Sequence, residues 1–130
     1  MGNQSETQDN KRSWTHWFEI PVSDFDRAKS FYETLFEIEI QAINFGSFKM
    51  GIFPHSDVGC AIVSGEGYTP GAQGAIVYLN AGPDLQVVAD RVEKAGGKII
   101  QDKKQISEEY GYMALFLDCE GNKMALHSVK

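Results

Sequence analysis

The alternation of apolar and polar positions marks out two similar stretches of chain. Residues 15–22 (THWFEIPV) place Trp17, Glu19 and Pro21 on one side and His16, Phe18, Ile20 and Val22 on the other, the period of a strand. Ser23 followed by Asp26 offers a capping box. Phe25, Ala28, Phe31, Tyr32 and Leu35 then recur at helical spacing, which predicts an amphipathic helix ending near residue 35. Three strands are expected next, over 37–43, 48–53 and 59–64, with Gly46, Pro54, His55, Ser56 and Asp57 in the turns between them.

The pattern then recurs. Residues 75–80 (AIVYLN) read as a strand, and Gly82-Pro83 opens a helix with proline at an early helical position. Leu85, Val88, Ala89, Val92 and Ala95 supply its apolar stripe, and Gly96-Gly97 closes it. Strands over 98–103, 112–118 and 123–129 complete the copy, the last two joined by a turn at Glu120-Gly121-Asn122. Strand, helix and three strands thus occur twice, offset by about 59 residues, which favours a pseudo-twofold α+β domain. The units span 15–66 and 74–129, and each is too small to stand well alone. One shared core and one cleft are therefore expected.

Composition narrows the class. The 42% hydrophobic and 23% charged content is that of a globular chain, and no apolar run is long enough for a membrane span. Residues 1–14 are polar and are expected to form a flexible tail with no secretory segment. Cys60 and Cys119 are far apart in sequence and outside any metal-binding spacing, so two reduced thiols and a cytoplasmic setting are expected. A net charge of −6 without a basic cluster argues against nucleic acid as a partner. The loop over 63–74 is rich in glycine but matches no phosphate-binding pattern, and is expected as a linker that folds over the cleft.

Three stretches, FEIPVSDFDRAKSFYETLF, VEKAGGKII and YGYMALFLDCEGNKMALHS, resemble the vicinal-oxygen-chelate superfamily of glyoxalases, bleomycin-resistance proteins and extradiol dioxygenases. The pattern D-x-x-R-A-x-x-F-Y after a strand, with D-x-E-G-N before the last strand, carries the likeness. The resemblance implies two βαβββ units forming a cupped eight-stranded cleft. Metal-dependent members hold a divalent metal on the first and last strands of each unit, through His, Gln or Glu. Carried over, those positions fall on Trp17, Ile76, Ala125 and Ala61, none of which has a donor atom. The expectation is a cleft with no metal and no cofactor.

Strand alternation sets other side chains beside those four positions. Glu19 accompanies Trp17, Tyr78 accompanies Ile76, His127 accompanies Ala125, and Val63 lies opposite in the first unit. Met50 and Ile52, with Met113 and Leu115 in the second unit, are read as either pocket or core. Glu19 reads as a general base or ligand acceptor, or as a structurally paired carboxylate. His127 reads as an acid, a base, a ligand contact or a solvated strand end. Trp17 and Tyr78 read as a stacking platform or as core filling. Glu19 and His127 are the candidate catalytic residues. Trp17, Met50, Ile52, Ala61, Val63, Ile76, Tyr78, Met113 and Ala125 are the candidate ligand contacts.

Such a pocket suits binding of a small organic molecule in an apolar, aromatic-lined cleft. The alternatives are a metal-independent lyase or isomerase with Glu19 as base, and a protein-interaction module. Pairing of the chain as a homodimer is a further expectation of the resemblance.

Overall fold

The computed structural model describes residues 11–130, so residues 1–10 of the expected tail lie outside the described residues. The chain runs β1 (Trp17–Pro21), α1 (Phe25–Phe36), β2 (Gln41–Asn44), β3 (Phe48–Ile52) and β4 (Gly59–Gly65). It continues with β5 (Val77–Asn80), α2 (Leu85–Ala95), β6 (Lys98–Ser107), β7 (Gly111–Leu117) and β8 (Lys123–Ser128). The eight strands form two four-stranded sheets, ordered β1-β4-β3-β2 and β5-β8-β7-β6. In each, the first strand of the unit lies parallel to the last and the other pairings are antiparallel. No helix among the described residues is long and apolar enough to cross a membrane.

The repeat is visible in the hydrogen bonds. Val22 N–H donates to the Val63 carbonyl at 2.9 Å, and Ala81 N–H donates to the His127 carbonyl at 2.8 Å. In the strand register, Glu19 pairs with Ala61 and Tyr78 with Ala125. The two halves therefore match Trp17 to Ile76, Glu19 to Tyr78, Ala61 to Ala125 and Val63 to His127.

Local details differ from the sequence pattern where capping chemistry decides. Asp24, not Ser23, is the N-cap of α1, accepting from Arg27 N–H. Glu37 ends the helix in the left-handed region at φ 55°, so β2 begins only at Gln41 rather than at 37. Asp84 caps α2 by accepting from Gln86 N–H, which leaves Pro83 outside the helix instead of in its first turn. Ile76 lies just before β5, which starts at Val77 and not at 75.

The apolar stripe of α1 (Phe25, Ala28, Phe31, Tyr32, Leu35) and that of α2 (Leu85, Val88, Ala89, Val92) are buried in a single core. Ile20, Val22, Cys60 and Ile62 reach that core from the first sheet, and Leu79, Ala114, Phe116, Met124 and Leu126 from the second. The helices pack on one another, and α1 also reaches the second unit directly. Phe31 lies 6.3 Å from Phe116 between ring centroids. A Cβ on Gly97 would stand 2.6 Å from the Leu117 carbonyl oxygen and 2.9 Å from the Phe31 ring, so that close approach requires glycine.

The second unit also closes both ends of α1. Glu120, on the β7–β8 turn, accepts from Ser23 N–H (2.8 Å), the Ser23 hydroxyl (2.6 Å) and Asp24 N–H (2.8 Å). At the other end Arg91 of α2 donates to the Leu35 carbonyl at 3.1 Å and pairs with Glu37 at 3.4 Å. An acid at the N-terminus and a base at the C-terminus both oppose the helix dipole favourably.

Candidate functional site

Each sheet turns one face to the shared core and leaves the other for the candidate residues. On the first sheet, alternation and register put Trp17, Glu19 and Pro21 of β1 beside Gly59, Ala61, Val63 and Gly65 of β4. Phe48, Met50 and Ile52 of β3 and Gln41 and Ile43 of β2 complete that face. Ala61 and Val63 are fully buried and form its floor. Trp17 remains 38% exposed, which makes it a rim residue rather than core filling.

Glu19 is exposed, not a carboxylate enclosed among apolar neighbours. The side-chain direction set by β1 carries it out over the floor. Its Oε1 accepts from the Tyr68 hydroxyl at 2.9 Å and its Oε2 from Trp17 Nε1–H at 3.4 Å. Donation to Glu19 raises the Tyr68 phenol above its usual range. Tyr68 comes from the loop after β4, the glycine-rich segment expected as a linker, which here reaches back onto the β1 face. A second loop residue arrives from the β3–β4 connection. The His55 ring stands edge-on to Trp17 with centroids 5.7 Å apart, and its Nδ1 is 2.9 Å from the Phe53 carbonyl. His55 occupies the space over Gly59, where a Cβ would lie 2.6 Å from the imidazole.

The corresponding face of the second sheet holds Ile76, Tyr78, Ala125, Met113, Leu115 and His127. Ala125 is fully buried, whereas Ile76 and Tyr78 are 39% and 52% exposed. His127 is half-buried near the end of β8. Its Nε2–H donates to the Tyr110 carbonyl at 2.6 Å, tying β8 to the β6–β7 turn. Where Glu19 has two side-chain donors around it, Tyr78 at the matching position stands without one among the described residues.

Among the described residues no hydrogen bond, ion pair or aromatic contact joins the Trp17/Glu19/Ala61 set to the Ile76/Tyr78/Ala125 set. A cavity of about 980 Å³ runs along the open edge of β5. Phe18, Phe36, Phe53 and Cys60 line it from the first unit and residues 75–80 from the second, so of the expected contacts only Ile76 and Tyr78 reach it. His55 and Gly59 also line it, which makes the cavity continuous with the Trp17 end of the first sheet's face.

Both thiols are held protonated. Burial pushes Cys60 up to about 12, and burial followed by the nearby Asp118 carboxylate pushes Cys119 up to about 11. At Cys119 the Arg27 guanidinium pulls the other way, but by less than burial and Asp118 push the thiol up.

Two βαβββ units with sheets of order 1-4-3-2 define a duplicated α+β domain. The model of the Glyoxalase/Bleomycin resistance protein/Dioxygenase superfamily matches residues 14–126, and the chain belongs to that superfamily. No curated protein matches it. Among solved structures it is similar to a point mutant of glyoxalase I from Zea mays (TM-score 0.70, 20% identity), covering 87% of this chain and 46% of that one. It is also similar to a glyoxalase/bleomycin resistance protein/dioxygenase family enzyme from Burkholderia phytofirmans PsJN (TM-score 0.67, 17% identity), covering 88% and 98%. A third is the fosfomycin resistance protein FosX from Listeria monocytogenes (TM-score 0.64, 15% identity), covering 91% and 92%. At these identities the likeness speaks to the fold.

The residues present do not fit the divalent metal that the resemblance implies. Its four positions carry an indole, an sec-butyl group and two methyl groups, and no group of three His, Cys, Asp or Glu side chains able to hold an ion exists among the described residues. Sequence reasoning missed Tyr68 and His55, because both come from irregular loops whose path no periodicity encodes.

Proposed function

We propose that the protein binds a small organic molecule on the face around Trp17 and Glu19, without a metal. One observation carries this reading: Glu19 is held between the Tyr68 hydroxyl and the Trp17 indole, over an apolar floor of Ala61 and Val63. A few placed polar groups against apolar and aromatic walls are what small-molecule recognition requires. Met50 and Ile52 extend the floor, and His55 and Gly59 at its Trp17 end also line the cavity along β5. Binding without chemistry needs no transition-state stabilisation, and no donor set here supplies the metal's contribution to it.

Pairing of two chains is part of the same reading. The exposed Trp17, Ile76 and Tyr78 and the open edges of β1 and β5 would be covered by a second copy.

A ligand screen read by thermal shift tests the reading, with Trp17→Ala and Glu19→Gln as controls. Hits that stabilise the parent and lose their effect in both variants support it. Stabilisation unaffected by either variant places binding elsewhere. Turnover of a hit, abolished in Glu19→Gln with binding retained, would instead make Glu19 a general base.

A further inference from the structure

We infer that the ligand of the Trp17/Glu19 face is an organic cation, an aromatic or alkyl amine or quaternary ammonium. The inference rests on the preceding reading of this face as a binding surface and adds the charge of what it takes. Glu19 is the only charged side chain among the strand positions of that face. An ionised carboxylate offers about four lone-pair sites, and Tyr68 and Trp17 occupy one on each oxygen. The remaining sites point to solvent from an exposed side chain, with no basic residue in an ion pair with it among the described residues. Of the partners those sites can still take, a cationic donor makes the stronger, charge-assisted bond.

The surroundings favour the same sign. The Trp17 indole and the Tyr68 phenol hold the carboxylate, and the His55 imidazole stands edge-on to that indole. Aromatic faces attract cations, tryptophan most strongly, and the attraction grows as the site is desolvated. The net charge of −6 adds a long-range bias toward positively charged ligands. The matching face of the second sheet differs in sign, carrying Lys98, Lys104 and Lys123 by register, so the assignment is specific to the first unit.

The test compares three probes of one shape at mildly alkaline pH and low salt: N-methylquinolinium, neutral quinoline and quinoline-2-carboxylate. Binding is followed by calorimetry and by Trp17 fluorescence in a Trp14→Phe background. N-methylquinolinium should bind at least about tenfold more tightly than quinoline, and quinoline-2-carboxylate should bind most weakly. Glu19→Gln should abolish that order while leaving the thermal midpoint in place, because the side chain is exposed. Tyr68→Phe should weaken the cation by a smaller factor. If quinoline or the carboxylate binds as well as the cation and still depends on Trp17, the face is a binding surface but its charge assignment is wrong. If no probe perturbs Trp17, both readings fall.

Discussion

The hydroxyl of Tyr32, in the first unit's helix, donates to Asp118 of the second unit at 2.7 Å inside the core. Asp118 is 4% exposed and accepts as well from Glu120 N–H, Asn122 N–H and the Asn122 amide. The Asn122 amide donates in turn to the Pro21 carbonyl, and its Oδ1 accepts from Gly71 N–H. The D-x-E-G-N turn is thus the bolt between the two repeats, and burial followed by Asp118 holds the Tyr32 phenol well above its usual range. Tyr32→Phe leaves a buried acceptor short of one donor. It should destabilise the fold by about 1–3 kcal/mol, read as a lower urea midpoint with an unchanged slope.

Glu120 makes stability depend on pH. Burial pushes its carboxyl up, but the Ser23 hydroxyl, the Ser23 and Asp24 amides and Arg27 together outweigh it and hold the group below its ordinary value. A folded value below the unfolded one gives stability that is present above the ordinary carboxylate range and lost as pH falls through the folded value. Glu33 and Asp84 are lowered too, through bonds led by Ile40 N–H and by Lys103 respectively, and add to the same acid loss. Glu120→Gln should cost roughly 2 kcal/mol near neutral pH. The gap between parent and variant in chemical denaturation should narrow as pH falls below the ordinary carboxylate range and close once it has passed through the lowered folded value.

The other end of α1 offers an independent check. Arg91→Ala removes the donor to the Leu35 carbonyl and the partner of Glu37. A loss of about 1 kcal/mol is expected, and it should add to that of Glu120→Gln, since the two sit at opposite ends of the helix. Thermal melts of the double variant measure that additivity.

Gly59 and His55 are coupled by space. A Cβ at 59 would stand 2.6 Å from the imidazole, so Gly59→Ala must push His55 off the Trp17 edge. The expected result is a shift of the Trp17 emission toward the solvated value in a Trp14→Phe background, with secondary structure retained. An unchanged spectrum would mean that His55 does not rest on Trp17 in solution.

Cys60 and Cys119, pushed up to about 12 and 11, should resist thiol reagents near neutral pH while the chain is folded. In guanidinium both should react at once. A fast native phase of one equivalent would contradict the burial that sets these values.

The fold was legible because both helices and most strands carry strong apolar periods. Phe25, Ala28, Phe31, Tyr32 and Leu35 are buried as a stripe, and the repeat of the pattern is the repeat of the structure. Boundaries shifted where one side chain decides the end of an element, as Asp24 and Asp84 do at their helices. The placement of Trp17, Glu19, Ala61 and Val63 on one face followed from alternation, as did that of Ile76, Tyr78 and Ala125 on another. Alternation carries no information on whether two such faces meet, and among the described residues no hydrogen bond, ion pair or aromatic contact joins the two sets. Nor does it foresee Tyr68 and His55, whose positions depend on loop paths fixed by tertiary packing.

On the function proposed, this member of the superfamily binds organic ligands through its own side chains and not through a metal. The most direct test is elemental analysis of untagged protein purified without chelators, paired with calorimetric titration of zinc and nickel. The account predicts far less than one equivalent of any metal and no saturable high-affinity binding. A full equivalent that is retained on dialysis, and lost in Glu19→Gln or His127→Ala, would contradict it and return metal-dependent chemistry to this fold.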